Sequence, residues 1–136
     1  MSSEGHTLSS VEGKGYPWVV DLDLVYDWLR AVDEDTYDQV VAALRVLATV
    51  GPGLGRPLVD TLVGSRHNNM KELRPGSSGR SEVRILFAFD PRRHAILLLA
   101  GDKQGSWKKW YRTNIPIADD RYDKHLARLR RTKGGS

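Results

Sequence analysis

The hydrophobic pattern changes period along the chain, and the changes mark the elements. Val25, Trp28, Leu29 and Val32 recur at helical spacing behind Asp21 and Asp23, either of which can cap a helix. A second helix follows the acidic start Asp33-Glu34-Asp35, with Tyr37, Val40, Val41, Leu44 and Leu47 on one stripe, and Gly51-Pro52-Gly53 stops it. From Met70 the rhythm shortens. Met70–Arg74, Glu82–Phe89 and His94–Ala100 are apolar runs separated by Pro75–Gly79 and by Asp90–Arg93. Runs this close together leave no room for helical crossovers, so they predict an antiparallel meander. In the middle run Val83, Ile85, Phe87 and Phe89 share one face. Glu82, Arg84, Leu86 and Ala88 take the other, which puts Arg84 on the mostly solvated side of a central strand. The third run does not alternate and predicts burial on both faces.

The flanking pattern completes the architecture. Trp18-Val19-Val20 predicts a short edge strand, residues 59–63 a strand or a helical turn, and Gly64–Asn69 a polar turn into the sheet. Trp107–Thr113 predicts a short helix, after which Pro116 starts or kinks a terminal helix with Ala118, Tyr122, Leu126 and Leu129 on one face. The expected fold is α+β: a small antiparallel or mixed sheet, an N-terminal helical hairpin over one side, and a C-terminal helix. The domain is expected over residues 16–131, after a disordered lead at 1–15 and before a flexible tail at 132–136.

Composition narrows the chemistry. The 136 residues include no cysteine, which removes disulfides and thiolate metal sites, and the four histidines are scattered without ligand spacing. No cofactor or metal is expected. Ala95–Ala100 is the longest strongly apolar run and falls far short of the roughly 20 residues a bilayer requires, so a soluble, cytoplasmic protein is expected. Charge is segregated. Residues 1–60 carry four Lys/Arg against ten Asp/Glu, a balance of −6, and residues 61–136 carry seventeen against seven, a balance of +10. A basic half interleaved with Trp and Tyr suits a polyanion, nucleic acid being the usual one.

Three stretches carry a family resemblance: Lys71-Glu72-Leu73-Arg74, Val83-Arg84-Ile85-Leu86-Phe87, and Leu97-Leu98-Leu99-Ala100-Gly101-Asp102-Lys103. Trp107-Lys108-Lys109-Trp110-Tyr111-Arg112 and Asp120-Arg121-Tyr122 with Leu126 extend them. In this order of elements the chain resembles the RelE/ParE toxin superfamily, and within it the HigB-type, phage-derived host-inhibition toxins. The resemblance implies a toxin neutralised by a small helix-turn-helix antitoxin. In the HigB and RelE branches the activity is cleavage of messenger RNA in the ribosome, without a metal; in the ParE branch the target is DNA gyrase. A non-catalytic RNA-binding module is the remaining alternative, with Met70 and Glu72 marking lost activity. An acidic antitoxin segment would cover the basic sheet or dock on the acidic hairpin, where Trp18, Tyr26 and Trp28 offer anchors.

RNA cleavage of this kind needs the 2′-hydroxyl activated, the phosphorane stabilised and the leaving oxygen protonated. Arg84 is the leading phosphate ligand, because its planar fork engages two phosphate oxygens from a fixed strand. Its alternative is a surface arginine paired with Glu72 or Glu82. The resemblance adds Lys103 as a second cation and His125 as a proton-transfer residue. Tyr111 offers a proton or a stacking face, and Trp107 and Trp110 could stack or serve the core. Arg74 and Lys71 are phosphate-binding candidates that a regular strand would point to opposite faces. His67 is the rival acid–base group, and Lys108, Lys109 and Arg112 complete the basic corner.

Overall fold

The computed structural model describes residues 10–76, 82–103 and 105–134. Six strands form one mixed sheet: β1 (Ser10–Gly13), β2 (Tyr16–Asp21), β3 (Val59–Thr61), β4 (Lys71–Leu73), β5 (Val83–Phe89) and β6 (Ala95–Asp102), in the spatial order β1-β2-β6-β5-β4-β3. The expected meander is present as β4-β5-β6, with Glu72 opposite Leu86 and Arg84 opposite Gly101. Residues 59–61 take the strand alternative.

Two expectations at the N-terminus fail together. Residues 10–13 of the supposed lead form β1, whose Val11 pairs with Val20 of β2. The Trp18 strand is therefore not the edge. It lies inside the sheet, parallel to β6 through Val20 and Ala95, and β1 takes the outer position. Residues 1–9 of that lead, like the Ser77–Gly79 part of the first meander turn, fall outside the described residues.

The helical hairpin is α1 (Tyr26–Ala31) followed by α2 (Glu34–Val50). Asp33 caps α2 by accepting from Thr36 N at 2.9 Å, which satisfies one of the donors that a helix N-terminus leaves open. Val40, Ala43, Leu44, Leu47 and Ala48 then bury against Val20, Ile85, Phe87 and Leu97 on one face of the sheet. Full burial of each leucine contributes about 1.5–3 kcal/mol. Gly51 ends the helix at φ +75°, and a Cβ there would lie 2.3 Å from the Trp18 indole, so both backbone and space require glycine.

The opposite face is where the period-2 reading misleads. Leu86 and Ala88 are fully buried, because Ile115, Ala118 and Tyr122 of the C-terminal helix α3 (Trp107–Gly134) pack on them with Ile96, Leu98 and Leu99. The sheet is the middle of three layers, and the side expected to be solvated is solvated only near its ends. The register between β5 and β6 shifts between Leu86 and Phe87, so Leu98 and Leu99 both turn toward α3. The third run does not alternate because both its faces are covered, Ala95 and Leu97 by one helical layer and Ile96, Leu98 and Leu99 by the other.

α3 is a single helix, where a short helix and a separate terminal one were expected. Pro116 lies inside it, at a cost of about 3 kcal/mol against an ordinary interior residue. Packing of Ile115 and Ala118 on the sheet offsets that cost. The helix continues to Gly134 and takes in residues 132–134 of the expected tail. No helix among the described residues is long and apolar enough to cross a membrane.

Candidate active site

The first turns of α3, the start of β5, the end of β6 and the short strands β3 and β4 surround an open cleft of about 590 Å³. Arg74, Arg84, Lys103 and Lys108 contribute cations to its walls, and Glu72, Tyr111 and Trp107 complete the polar and aromatic lining. β4 is only three residues long, yet its pleat decides who enters. Leu73 joins the core beneath α2, so Glu72 and Arg74 face the other way, into the cleft. Gly101 lets α3 approach closely, since a Cβ there would stand 2.9 Å from the Trp110 indole nitrogen. That approach brings Tyr111 over β4.

Glu72 is the centre of the cleft floor. Its side chain is 5% exposed, and Tyr111 Oη donates to its Oε1 at 2.6 Å. Arg74 donates to Oε2 from Nη2 at 2.9 Å and from Nε at 3.2 Å. Arg84 Nε stands 3.7 Å from Oε1 and is buried with no hydrogen-bond partner among the described residues. The rest of that guanidinium is lightly held: Nη1 donates to Val83 O at 2.9 Å, and Nη2 lies 3.8 Å from Glu82 Oε1. Lys103 Nζ donates to Glu82 Oε1 at 2.7 Å. This bond is the main reason the Glu82 carboxyl lies below its ordinary pKa.

Burial and the neighbouring Glu72 carboxylate push the Tyr111 hydroxyl up to about 12, against a smaller opposing effect of Arg84. At neutral pH it is a phenol, not a phenolate. Trp107 is half-exposed at the rim, with Lys103 Nζ 5.9 Å and Lys108 Nζ 5.6 Å from its ring centroid. The lining thus offers phosphate-binding cations, a fixed hydroxyl and an aromatic face.

The structure divides the sequence candidates. Arg84, Lys103, Tyr111, Arg74 and Lys108 line the cleft. Lys71 points to the other face of the sheet and donates to Pro52 O at 3.3 Å, as the strand parity requires. Lys109 lines a separate hollow beside Trp110, and Arg112 is exposed outside the cleft. Neither histidine reaches it. His125 is buried with Nε2 2.8 Å from Asp90 Oδ2, and His67 Nε2 lies 2.8 Å from Asp123 Oδ1 with its ring against Tyr122 at 4.8 Å. Continuity of α3 carries residue 125 about 20 Å along its axis from Tyr111, and His67 is held beside the same stretch of the helix by Asp123 and Tyr122. Among the described residues no three His, Asp or Glu side chains gather as metal ligands. Glu72, which only the non-catalytic alternative singles out, as a mark of lost activity, stands at the centre of the lining. Its parity with Arg74 was the available signal.

Residues 27–123 match the family described as "Phage derived protein Gp49-like". The chain belongs to the Gp49-like family. This Gp49-like chain is 57% identical over 116 residues to "Putative toxin HigB2" of Mycobacterium tuberculosis (strain ATCC 25618 / H37Rv), a match that covers 85% of the chain and 58% of that relative. It is 51% identical over 109 residues to "Putative toxin HigB3" of the same organism, covering 80% of the chain and 93% of the relative. The chain therefore spans little more than half the length of the first relative and nearly all of the second. No solved structure matches it. The HigB-type resemblance noted in the sequence is borne out, and the α+β fold agrees with a RelE-like architecture.

Proposed function

We propose that this Gp49-like chain is the toxin of a toxin–antitoxin pair and acts as an endoribonuclease on messenger RNA bound to the ribosome. Support comes from the two toxin-named relatives and from the cleft. The observation that carries the reading is Arg84: a guanidinium that lines a cation-rich cleft and is only loosely paired there, its Nε 3.7 Å from Glu72 Oε1 and its Nη2 3.8 Å from Glu82 Oε1. A scissile phosphate supplies an acceptor for Arg84 Nη2, which stands 3.8 Å from Glu82 Oε1. Lys103 adds charge as the phosphorane forms, and Arg74 and Lys108 hold the flanking phosphates. Trp107 gives a splayed base a stacking face. The Tyr111 hydroxyl then faces the sugar-phosphate junction from the cleft floor.

Preset cations in a partly desolvated cleft stabilise developing charge without reorganising. The ribosome supplies the substrate's geometry, which suits a cleft this open. The antitoxin is a small helix-turn-helix partner that either fills the cleft or encumbers the chain from the α1–α2 side.

The test is cleavage of messenger RNA on programmed ribosomes by purified protein, with growth arrest on expression as its cellular counterpart. Wild-type protein should cleave and the Arg84→Ala protein should cleave on the order of 10²–10³-fold more slowly, at equal melting temperature. Equal cleavage by a folded Arg84→Ala protein, or no cleavage by the wild type, overturns the reading.

A further inference from the structure

We propose that Glu72 is the terminal proton acceptor of the cleavage step, taking the substrate's 2′-hydroxyl proton through the Tyr111 hydroxyl. This rests on the ribonuclease reading and deepens it, since the proton-transfer groups expected from the sequence, His67 and His125, both lie away from the cleft.

Burying a carboxylate is costly unless its oxygens are paired, and here they are paired asymmetrically. Oε2 belongs to Arg74, which donates twice, and that contact alone would satisfy a purely structural ion pair. Oε1 instead receives the Tyr111 hydroxyl at 2.6 Å, a short contact that fixes the direction of the phenolic hydrogen. With that hydrogen committed to Glu72 and Arg84 approaching as a donor, the Tyr111 oxygen keeps one lone pair to accept from a group in the cleft. Tyr111 cannot act as a base by ionising, because a hydroxyl titrating at about 12 is almost wholly protonated at neutral pH. It can pass a proton on, provided that its own proton has somewhere to go. Glu72 Oε1 is that place.

The step balances as follows. The 2′-O–H bond breaks and its proton joins the Tyr111 oxygen while the Tyr111 proton moves to Glu72 Oε1. The 2′-oxygen uses the freed pair to bond to phosphorus, and the bond from phosphorus to the 5′-oxygen breaks with its pair on oxygen. The Lys103 ammonium gives that oxygen its proton. The products are a 2′,3′-cyclic phosphate and a 5′-hydroxyl, after which Glu72 loses its proton to water and Lys103 regains one. Arg84 gains from the exchange. Its Nε stands 3.7 Å from the oxygen that becomes neutral, so its charge is released to the phosphorane as the negative charge leaves Glu72.

Glu72→Gln is the decisive variant, since an amide oxygen still accepts from Tyr111 but takes no proton. Single-turnover cleavage on programmed ribosomes should fall on the order of 10²–10⁴-fold with little change in KM, and the acid-side limb of the rate–pH profile should vanish. Glu72→Asp should recover part of the rate. Tyr111→Phe should lose as much, and the double variant no more than the worse single one. If the wild type cleaves and folded Glu72→Gln keeps its kcat, or loses rate while the acid limb remains, the proposal falls and the ribonuclease reading stands. If Glu72→Gln does not fold, Tyr111→Phe decides alone: a wild-type kcat there overturns the relay. A wild type that does not cleave removes both.

Discussion

Two buried carboxylates face α3, Glu72 from β4 and Asp90 from the β5–β6 turn, and only one of them opens on a cleft. Asp90 is fully buried and fully used. Its Oδ1 accepts from Arg92 N at 2.9 Å and His94 N at 3.0 Å, and its Oδ2 accepts from Arg92 Nη2 at 2.8 Å beside His125 Nε2 at 2.8 Å. These contacts close the β5–β6 turn and staple it to α3. Glu72 is nearly as buried, but its partners Tyr111, Arg74 and Arg84 all line the cleft, and Arg84 retains an unpartnered donor among the described residues. The difference teaches that a buried charge by itself does not mark a site. A closed network holds the fold, whereas a network whose partners face a cavity holds capacity for a ligand.

The comparison breaks most sharply through Arg84. Arg84→Ala should lower RNA cleavage on the order of 10²–10³-fold, the usual loss for one preset donor at a developing anion. Arg84→Lys should restore little, because a point charge cannot replace a fork. Asp90→Ala should do the reverse. It strands His125 and two turn amides and should cost about 3–5 kcal/mol of stability by chemical denaturation, with cleavage per folded molecule unchanged. A folded Asp90→Ala protein that cannot cleave would erase the distinction between the two carboxylates.

Acid offers a milder probe of the closed network. Burial pushes the Asp90 carboxyl up, but hydrogen bonds from His125, His94 N and Arg92 together outweigh it, and its pKa lies below the ordinary value. A carboxyl depressed in the folded state contributes stability above its unfolded pKa and loses that contribution as pH falls through the folded value. Wild-type stability should therefore decline below about pH 4, and Asp90→Asn, less stable at neutral pH, should show a shallower decline there. Equal acid slopes for the two proteins would show that Asp90 is not the group responsible.

The fold was legible where one local rule sufficed. Helical spacing found α1 and α2, and turn spacing found β4-β5-β6, because each signal lies within a few residues. Burial of Leu86 and Ala88 was not legible, since the helix that covers them starts at Trp107 and its approach depends on Gly101. Pro116 read as a break because propensity is local, while the packing that carries the helix through it is not. The site divides in the same way. Arg84 and Arg74 follow from strand parity, but His125 lies on a long helix whose phase and reach only the assembled layers decide. Glu72 looked anomalous in a basic corner. Its contact in the cleft needs Tyr111, thirty-nine residues later, to arrive on top of it.

The smallest expected effect separates two neighbours on one helix. Lys108 and Lys109 are adjacent, equally charged and both near the N-terminal end of α3, so composition treats them alike. Helical geometry rotates them about 100° apart. Lys108 lines the cleft and lies against Trp107, while Lys109 faces the separate hollow beside Trp110. With a short single-stranded RNA, without ribosomes and in an Arg84-intact, Tyr111→Phe background, Lys108→Ala should weaken binding a few-fold. It should also lower the dependence of log affinity on log salt by about 0.7, the value for one lost phosphate contact on a single strand. Lys109→Ala should leave that slope unchanged, because a cation outside the cleft contributes only screened, long-range attraction. Equal slopes for the two variants would mean that the RNA reads the basic corner as a diffuse field and not as a cleft with a defined wall.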